Sequence, residues 1–436
     1  MEPGNHQKSR AGSLPWIIWG LAALFYAYEF FLQVSPSVMV PDLMHTFRLD
    51  AASLGNLTAL YFYSYAIMQI PAGVFLDVLG PRRLLTIAIS VCVIGALFFG
   101  FAEHLWMAQL GRLLIGFGSA FAALGTFKLA ANWFPVNRFA FITGLTLTIG
   151  MSGAVIGGAP LAILVEHMGW RQSMLTLAII GAILSTLIWL IVRDSPNAHK
   201  KPKRKILGPQ DSIIKSLIYI FKKPQSWITA IYGGLMFGPT PAFAGLWGTP
   251  FIMAKYGLDR PVAAGAVSMI FIGWAIGSPI FGWISDHINR RIPTLYVGSV
   301  GALITIIFIL YVNLPILALY IILFLFGFSS SGFLPAFSII REISPPTTSA
   351  TALGFMNMMN MVGVAVLQPL IGVVLDHYWN GAIHHHIRIY PIHAYHISLL
   401  ILPVIIFIAI LIIPFIKETY CKPLNLDSAV KAKFSH

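Results

Sequence analysis

The stretch GVFLDVLGPRR, residues 73–83, sets an aspartate, Asp77, and two arginines, Arg82 and Arg83, into a strongly apolar chain. A second stretch, GWISDHINRR at 282–291, writes nearly the same phrase 209 residues later. Gly73 is echoed by Gly282, Asp77 by Asp286 and Arg82 by Arg291, with Arg290 beside it. Charged phrases doubled at half a chain length need an explanation in the chain around them.

That chain has 436 residues, 57% hydrophobic and 10% charged, with mean hydropathy +0.80. Soluble proteins carry about 25% charged residues. So much apolar surface points to lipid as the solvent, and an all-α integral membrane protein is expected. The net charge of +13 does not point to nucleic acid, because the basic residues lie between hydrophobic runs. The two cysteines, Cys92 in an apolar run and Cys421 in a polar tail, suggest no disulfide framework. The polar start MEPGNHQKSRAGS is followed by a long apolar run without a small-residue cleavage site, so no signal peptide is expected.

Helices of roughly 20 residues are needed to cross a bilayer. Twelve runs qualify: 15–38, 53–75, 84–103, 106–131, 139–165, 172–193, 226–252, 262–284, 293–312, 315–340, 350–375 and 396–416. They divide the chain into a tail 1–14, a six-helix half 15–193, a linker 194–225, a second half 226–416 and a tail 417–436. If the N-terminus is cytoplasmic, that side receives 21 of the 28 lysines and arginines and the other side five; Arg112 and Lys128 fall within a span. This asymmetry places both termini on the cytoplasmic side of the membrane that the chain crosses. HKKPKRK (199–205) in the linker reads as a positive-inside anchor. Both charged phrases then lie on the cytoplasmic side, between spans 2 and 3 and spans 8 and 9. Gly144 and Gly153 in span 5 match Gly354 and Gly363 in span 11, offset by 210, so the halves read as repeats.

With these features the chain resembles the major facilitator superfamily over essentially its whole length. The loop signature G-x-x-x-D-x-x-G-x-R-R is complete as Gly73, Asp77, Gly80, Arg82 and Arg83, and span 4 carries a similar R-x-x-x-G-x-G at Arg112, Gly116 and Gly118. GWRQSM (169–174) has the same family look. The resemblance implies two pseudo-symmetric six-helix halves and a gating role for the phrase. Asp77 would meet a helix N-terminus of the other half, and the arginines would tie neighbouring helix ends. YAYEFFLQVSPSVMVPDLM (26–44) and NWFP (132–135) resemble proteobacterial importers of amino acids or nucleosides, the intraphagosomal amino acid transporter group among them, and organic-anion symporters.

Of the fifteen carboxylates only Glu29 falls in the middle of a span. A charge there costs about 2.5–3.5 kcal/mol on insertion scales, so it needs a partner, a proton or a water-filled cavity. Glu29 is therefore the candidate for proton coupling. Arg112 is placed to fork a substrate carboxylate or to pair with Glu29, and Lys128 to contact an anion or reach the cytoplasm. Tyr26, Tyr28, Tyr61, Tyr65 and Gln69 in the first half, with Asn357, Asn360 and Gln368 in span 11, are candidates to line the cavity. Dense Gly and Pro in GGLMFGPTPAFAG (233–245) and FGFSSSGFLP (326–335) suit bending helices. HHHIRIYPIHAYH (384–396) has no carboxylate or cysteine among its histidines and reads as a solvated outer loop.

These residues suggest a secondary transporter, not an enzyme, working as a monomer in the bilayer without a cofactor or structural metal. It would import a small polar or anionic metabolite, such as an amino acid, nucleoside or organic acid, together with protons. A drug or siderophore exporter is the alternative. Its G-x8-G-x3-G-P-x2-G-G signature matches at Gly144, Gly153 and Gly157, then breaks at Gly158, Leu161 and Ala162. A remote alternative, a rhomboid-type serine protease, matches GMSG (150–153), but Ser152 lacks a histidine at membrane depth. No phosphate-binding loop suggests ATP-driven transport. For the gating phrase, Asp77→Asn is expected to slow transport with folding nearly intact and to raise cysteine accessibility from the cytoplasm; wild-type values of both would remove the role.

Overall fold

In the computed structural model, residues 13–196, 216–345, 348–384 and 387–422 are described. Residues 1–12 and 423–436 of the tails, HKKPKRK, most of the linker, Pro346, Thr347, His385, His386 and the Asp77 side chain lie outside them. The described residues are helical almost throughout. The N-terminal set comprises α1 (Leu14–Val34), α2 (Val40–Phe47), α3 (Ala51–Gln69), α4 (Ala72–Leu79), α5 (Pro81–Gly100), α6 (Leu105–Ser119), α7 (Ala122–Trp133), α8 (Val136–Ile156) and α9 (Ala159–Ile191). The C-terminal set begins with a short helix α10 at 216–221. It continues with α11 (Pro224–Phe237), α12 (Pro239–Ala242), α13 (Gly248–Tyr256), α14 (Arg260–His287), α15 (Ile292–Tyr311), α16 (Ile316–Ser330), α17 (Pro335–Glu342), α18 (Ser349–His377), α19 (Ile392–Leu399) and α20 (Ile401–Ile412).

Among the described residues, nine stretches are long and apolar enough to cross a membrane. The difference from twelve runs has a local cause. One stretch, 141–191, is 51 residues long, and Gly169 breaks it at φ 79°, where a Cβ would be strained. The run at 53–75 holds a 19-residue helix, α3, whose Asn56, tyrosines and Gln69 make it less apolar, and the run at 226–252 is broken into pieces of at most 14 residues. Helix α3 ends before Ile70 and Pro71, and α11 stops at Gly238, followed by α12 and a π-helical turn, Phe243–Trp247. Pro239 and Pro241 remove two backbone donors there. The runs around α1, α6 and α16 break in the same manner, the first and third through 3-10 turns, Ser35–Val38 and Ser331–Phe333. The interruptions in 233–245 and 326–335 fall where the Gly and Pro density suggested bending.

The histidine-rich loop is not wholly irregular. It folds into a two-residue antiparallel ladder pairing Ile383 with Arg388 and His384 with Ile387. The molecule's outer surface carries large apolar residues such as Leu190, Ile67, Val297 and Phe415, each about two-thirds exposed, which is the solvated condition in lipid.

Helices approach closely where glycine leaves room. A Cβ on Gly153 would strike the backbone of Ala27, and one on Gly327 the backbone of Ile270. Without hydrophobic attraction between helices in lipid, such close contact supplies the packing energy. Gly327→Val should therefore destabilise by about 1–3 kcal/mol, as overpacking does. Gly144→Val, beside which a Cβ meets nothing within 4 Å, should be close to neutral. Thermal unfolding of the two variants in one detergent checks the contrast, and equal melting temperatures would refute it.

Candidate functional site

Helix α1 places Tyr26, Glu29 and Gln33 on one face at helical spacing, and α3 does the same with Tyr61, Tyr65 and Gln69. The faces meet at Glu29. The Tyr61 hydroxyl donates to Glu29 Oε1, while Glu29 Oε2 is buried and makes no hydrogen bond. The Tyr65 ring lies 5.8 Å from that of Tyr61, and the Arg112 guanidinium sits 5.0 Å from the Tyr61 ring centre. Gly116, one turn beyond Arg112, lets α6 reach α3, since a Cβ there would overlap the Tyr61 carbonyl.

Arg112 does not pair with Glu29. Its Nη1 donates to the Leu32 carbonyl at 2.9 Å and its Nη2 to the Gln33 carbonyl at 3.4 Å. These carbonyls lie in the last turn of α1, where the helix gives way to the 3-10 turn and intrahelical partners run out. A substrate carboxylate would take the planar Nη1–Nη2 fork only by displacing them, and the buried Nε has no partner. Lys128 is partly buried on α7, a helix separate from α6, with the turn at Ala120 and Phe121 between them.

The other candidates divide. Tyr28 is turned away from this face: its hydroxyl donates to the Leu177 carbonyl at 2.9 Å and packs against Gly181 of α9. One residue's offset from Glu29 rotates it about 100° around α1, so it serves packing and does not line the site. Tyr26 packs its ring on Gly150 and Phe30. Asn357 Nδ2 donates to Gln69 Oε1 at 2.8 Å, joining α18 to the end of α3. Asn360 faces Gly233, and its Oδ1 has no partner. Gln368 donates to the Pro241 carbonyl at 3.3 Å, a carbonyl in the broken run around α12. Its own backbone carbonyl accepts from Trp247 Nε1 at 3.0 Å. Ser152 gives its hydroxyl to the Ile149 carbonyl at 2.6 Å.

The doubled phrase builds matching corners. Gly80 has φ 74° and its counterpart Asn289 φ 52°, so both copies turn through the left-handed region, which Asn tolerates better than most residues. Arg82 donates to the Trp189 carbonyl at 3.0 and 2.6 Å, and its backbone N–H donates to Asp194 Oδ1 at 2.7 Å. Arg291 bonds Asp286 at 2.5 Å and the buried Glu342 at 2.7 Å, and its N–H, with that of Ile292, donates to Glu418 at 2.9 Å. Burial raises the Glu418 pKa, yet the N–H groups of Arg291, Ile292, Tyr420 and Thr419 hold it below the usual carboxylate range. Arg83 and Arg290 are exposed, and Gly73 and Gly282 have no heavy atom within 4 Å of a Cβ position. Asp194 and Glu418 thus cap the N-termini of α5 and α15 alike, but 224 residues apart, so the 209-residue repeat did not reveal them.

The sequence model of the Major Facilitator Superfamily matches residues 19–366 and 242–430. The chain is 25% identical over 390 residues to the uncharacterized transporter YybO of Bacillus subtilis (strain 168), covering 84% of this chain and 89% of that one. It is 24% identical over 354 residues to a gallate transporter of Pseudomonas putida, covering 73% and 75%. A crystal structure of a bacterial homolog of the human lysosomal transporter Spinster, inward-facing and unoccupied, superposes with a TM-score of 0.75 at 16% identity, covering 93% and 97%. Interrupted apolar helices, a charged phrase written twice and a family match spanning both helix sets lead to one assignment: the chain belongs to the Major Facilitator Superfamily and is a multi-pass membrane transporter.

Proposed function

We propose that the chain is a proton-coupled importer of a small polar or anionic metabolite across a bacterial inner membrane, with both termini cytoplasmic. The amino acid, nucleoside and organic acid classes fit the sequence resemblance, and the gallate transporter's similarity supports the last of them. Residues 15–193 and 226–416 are the two bodies that rock about the site as a monomer, and 194–225 links them. The observation that carries the coupling is Glu29. It is the one mid-span carboxylate of the sequence, with one oxygen held by Tyr61 and the other without a partner. That free oxygen is the proton's place.

The contacts support a state closed on the outside. Among the described residues, hydrogen bonds cross between the two helix sets at Asp42, Ala51 and Ala52 on the outer face and at Tyr63 within the span, and one more crosses at Gln69, about 27 Å along α3 from Ala51 and so toward the phrases. At the face of the charged phrases, Arg82 and Arg291 bond within their own sets, and Gly73, Gly144 and Gly282 have open space beside them.

A proton entering with a neutral or zwitterionic substrate moves one charge down the membrane potential, about 2.3 kcal/mol per 100 mV. Glu29→Gln mimics the protonated carboxyl and cannot release the proton. It should abolish accumulation in proteoliposomes with an imposed pH gradient while exchange of labelled for unlabelled substrate survives. Concentration of substrate by that variant, driven by the proton gradient alone, would sink the proposal.

Arg112 acts in this scheme through α1, positioning Glu29, rather than by holding substrate. Arg112→Lys cannot satisfy two carbonyls with one planar fork. It should lower stability by about 1–3 kcal/mol and reduce the maximal transport rate. A variant of wild-type stability with weakened apparent substrate affinity would return Arg112 to the role of substrate clamp.

A further inference from the structure

The G-x-x-x-D spacing of the charged phrase occurs at a third place. Residues 372–376, GVVLD, repeat the pattern of GVFLD at 73–77, at the opposite end of a span. Gly372 and Asp376 lie in the last turns of α18, on the face away from both phrases.

Here the structure displays what the spacing builds. Gly372 faces the first residues of α3 in the other helix set: a Cβ would overlap the Ala51 carbonyl and come within 2.8 Å of the Ala52 nitrogen. One turn later, Asp376 Oδ1 accepts the Ala51 N–H at 3.1 Å and Oδ2 accepts the Ala52 N–H at 2.8 Å. These N–H groups begin α3 and have no intrahelical partner. The carboxylate of one helix set thus caps a helix of the other, where the N-terminal dipole favours negative charge. Two residues of the histidine-rich loop hold the carboxylate in place. Arg388 donates to Oδ1 at 3.2 Å and Tyr390 at 2.5 Å, and the Ala51 N–H also reaches the Tyr390 hydroxyl at 3.0 Å. On the same face, Arg260 of the C-terminal set pairs with Asp42 of the N-terminal set at 2.8 Å.

We propose that Gly372 and Asp376 are an outer gate motif, which closes the transporter on the outside by capping α3 across the interface between the helix sets. The motif rests on the alternating-access reading above, and it gives the histidine-rich loop a role, since the short ladder carries Arg388 and Tyr390 to the gate. Opening to the outside must pull the two α3 N–H groups off the carboxylate. Asp376 is a positioning residue for that step and does not touch substrate.

Accessibility tests it. Ser37 is buried near the outer interface, and Gly144 faces open space nearer the phrases. Single cysteines at Ser37→Cys or Gly144→Cys, with Cys92→Ala and Cys421→Ser, report each face through their labelling rates with a maleimide in proteoliposomes. Asp376→Asn keeps the shape and removes the charge. It should raise labelling at position 37 about tenfold, the loss of one charge-assisted bond's preference for the closed state, and lower it at 144. Asp376→Glu should restore most of the closed population. Arg260→Gln, which breaks the second cross-link, should shift both labels the same way and serves where Asp376→Asn does not fold. Wild-type labelling at both positions in folded Asp376→Asn and Arg260→Gln, while Asp77→Asn shifts them, would overturn the outer gate and leave alternating access standing. If no variant moves either label, alternating access fails and the gate with it.

Discussion

Hydrocarbon offers a backbone no hydrogen-bond partner, and that constraint organises this molecule. Every place where a helix is interrupted must find its donors and acceptors inside the protein. Helix α1 gives way at Ser35, and the carbonyls of Leu32 and Gln33 are taken up by Arg112 from α6. The run around α12 gives way at Pro239 and Pro241, and Gln368 of α18 takes up the Pro241 carbonyl. Both interruptions are therefore paired with a polar side chain on a neighbouring helix. The broken segments stay solvable in lipid because their repair comes from outside the segment.

The same constraint places charge. Helix ends carry unpaired N–H groups, and in this chain carboxylates meet them. Asp194 and Glu418 follow the last helix of each set and cap α5 and α15 beside the two phrases, while Asp376 caps α3 at the other face. The first two bonds stay within one helix set and stiffen it; the third joins two sets and resists their separation. Whether such a bond stiffens a body or gates it depends on which helix set the capped helix belongs to, not on the residues that make it.

Glu29 is held differently. Its one engaged oxygen meets Tyr61, whose ring lies under the guanidinium of Arg112. Arg112 is in turn anchored on the final turn of α1, the helix that carries Glu29. The three groups thus close a loop through α1, α3 and α6, all within the N-terminal helix set, so Tyr61 and Arg112 fix the place of the carboxylate inside that set.

Hydrophobicity and charge are properties of short segments, so the sequence alone determined the lipid solvent, the placing of the apolar runs, the repeated phrase and the isolation of Glu29. Glycine and proline likewise announced the bends near 233–245 and 326–335, because their backbone effects are local. Tertiary structure decided what each polar group meets. Tyr28 left the site because one residue of phase turned it toward Leu177, and Arg112 joined α1 because a backbone carbonyl carries no sequence signature. The capping carboxylates escaped notice for a related reason. Asp376 stands 325 residues from the Ala51 N–H that it accepts, and its G-x-x-x-D spacing cannot say which helix start will lie opposite. Only the packing of α18 on α3, made close by Gly55 and Gly372, brings the two together.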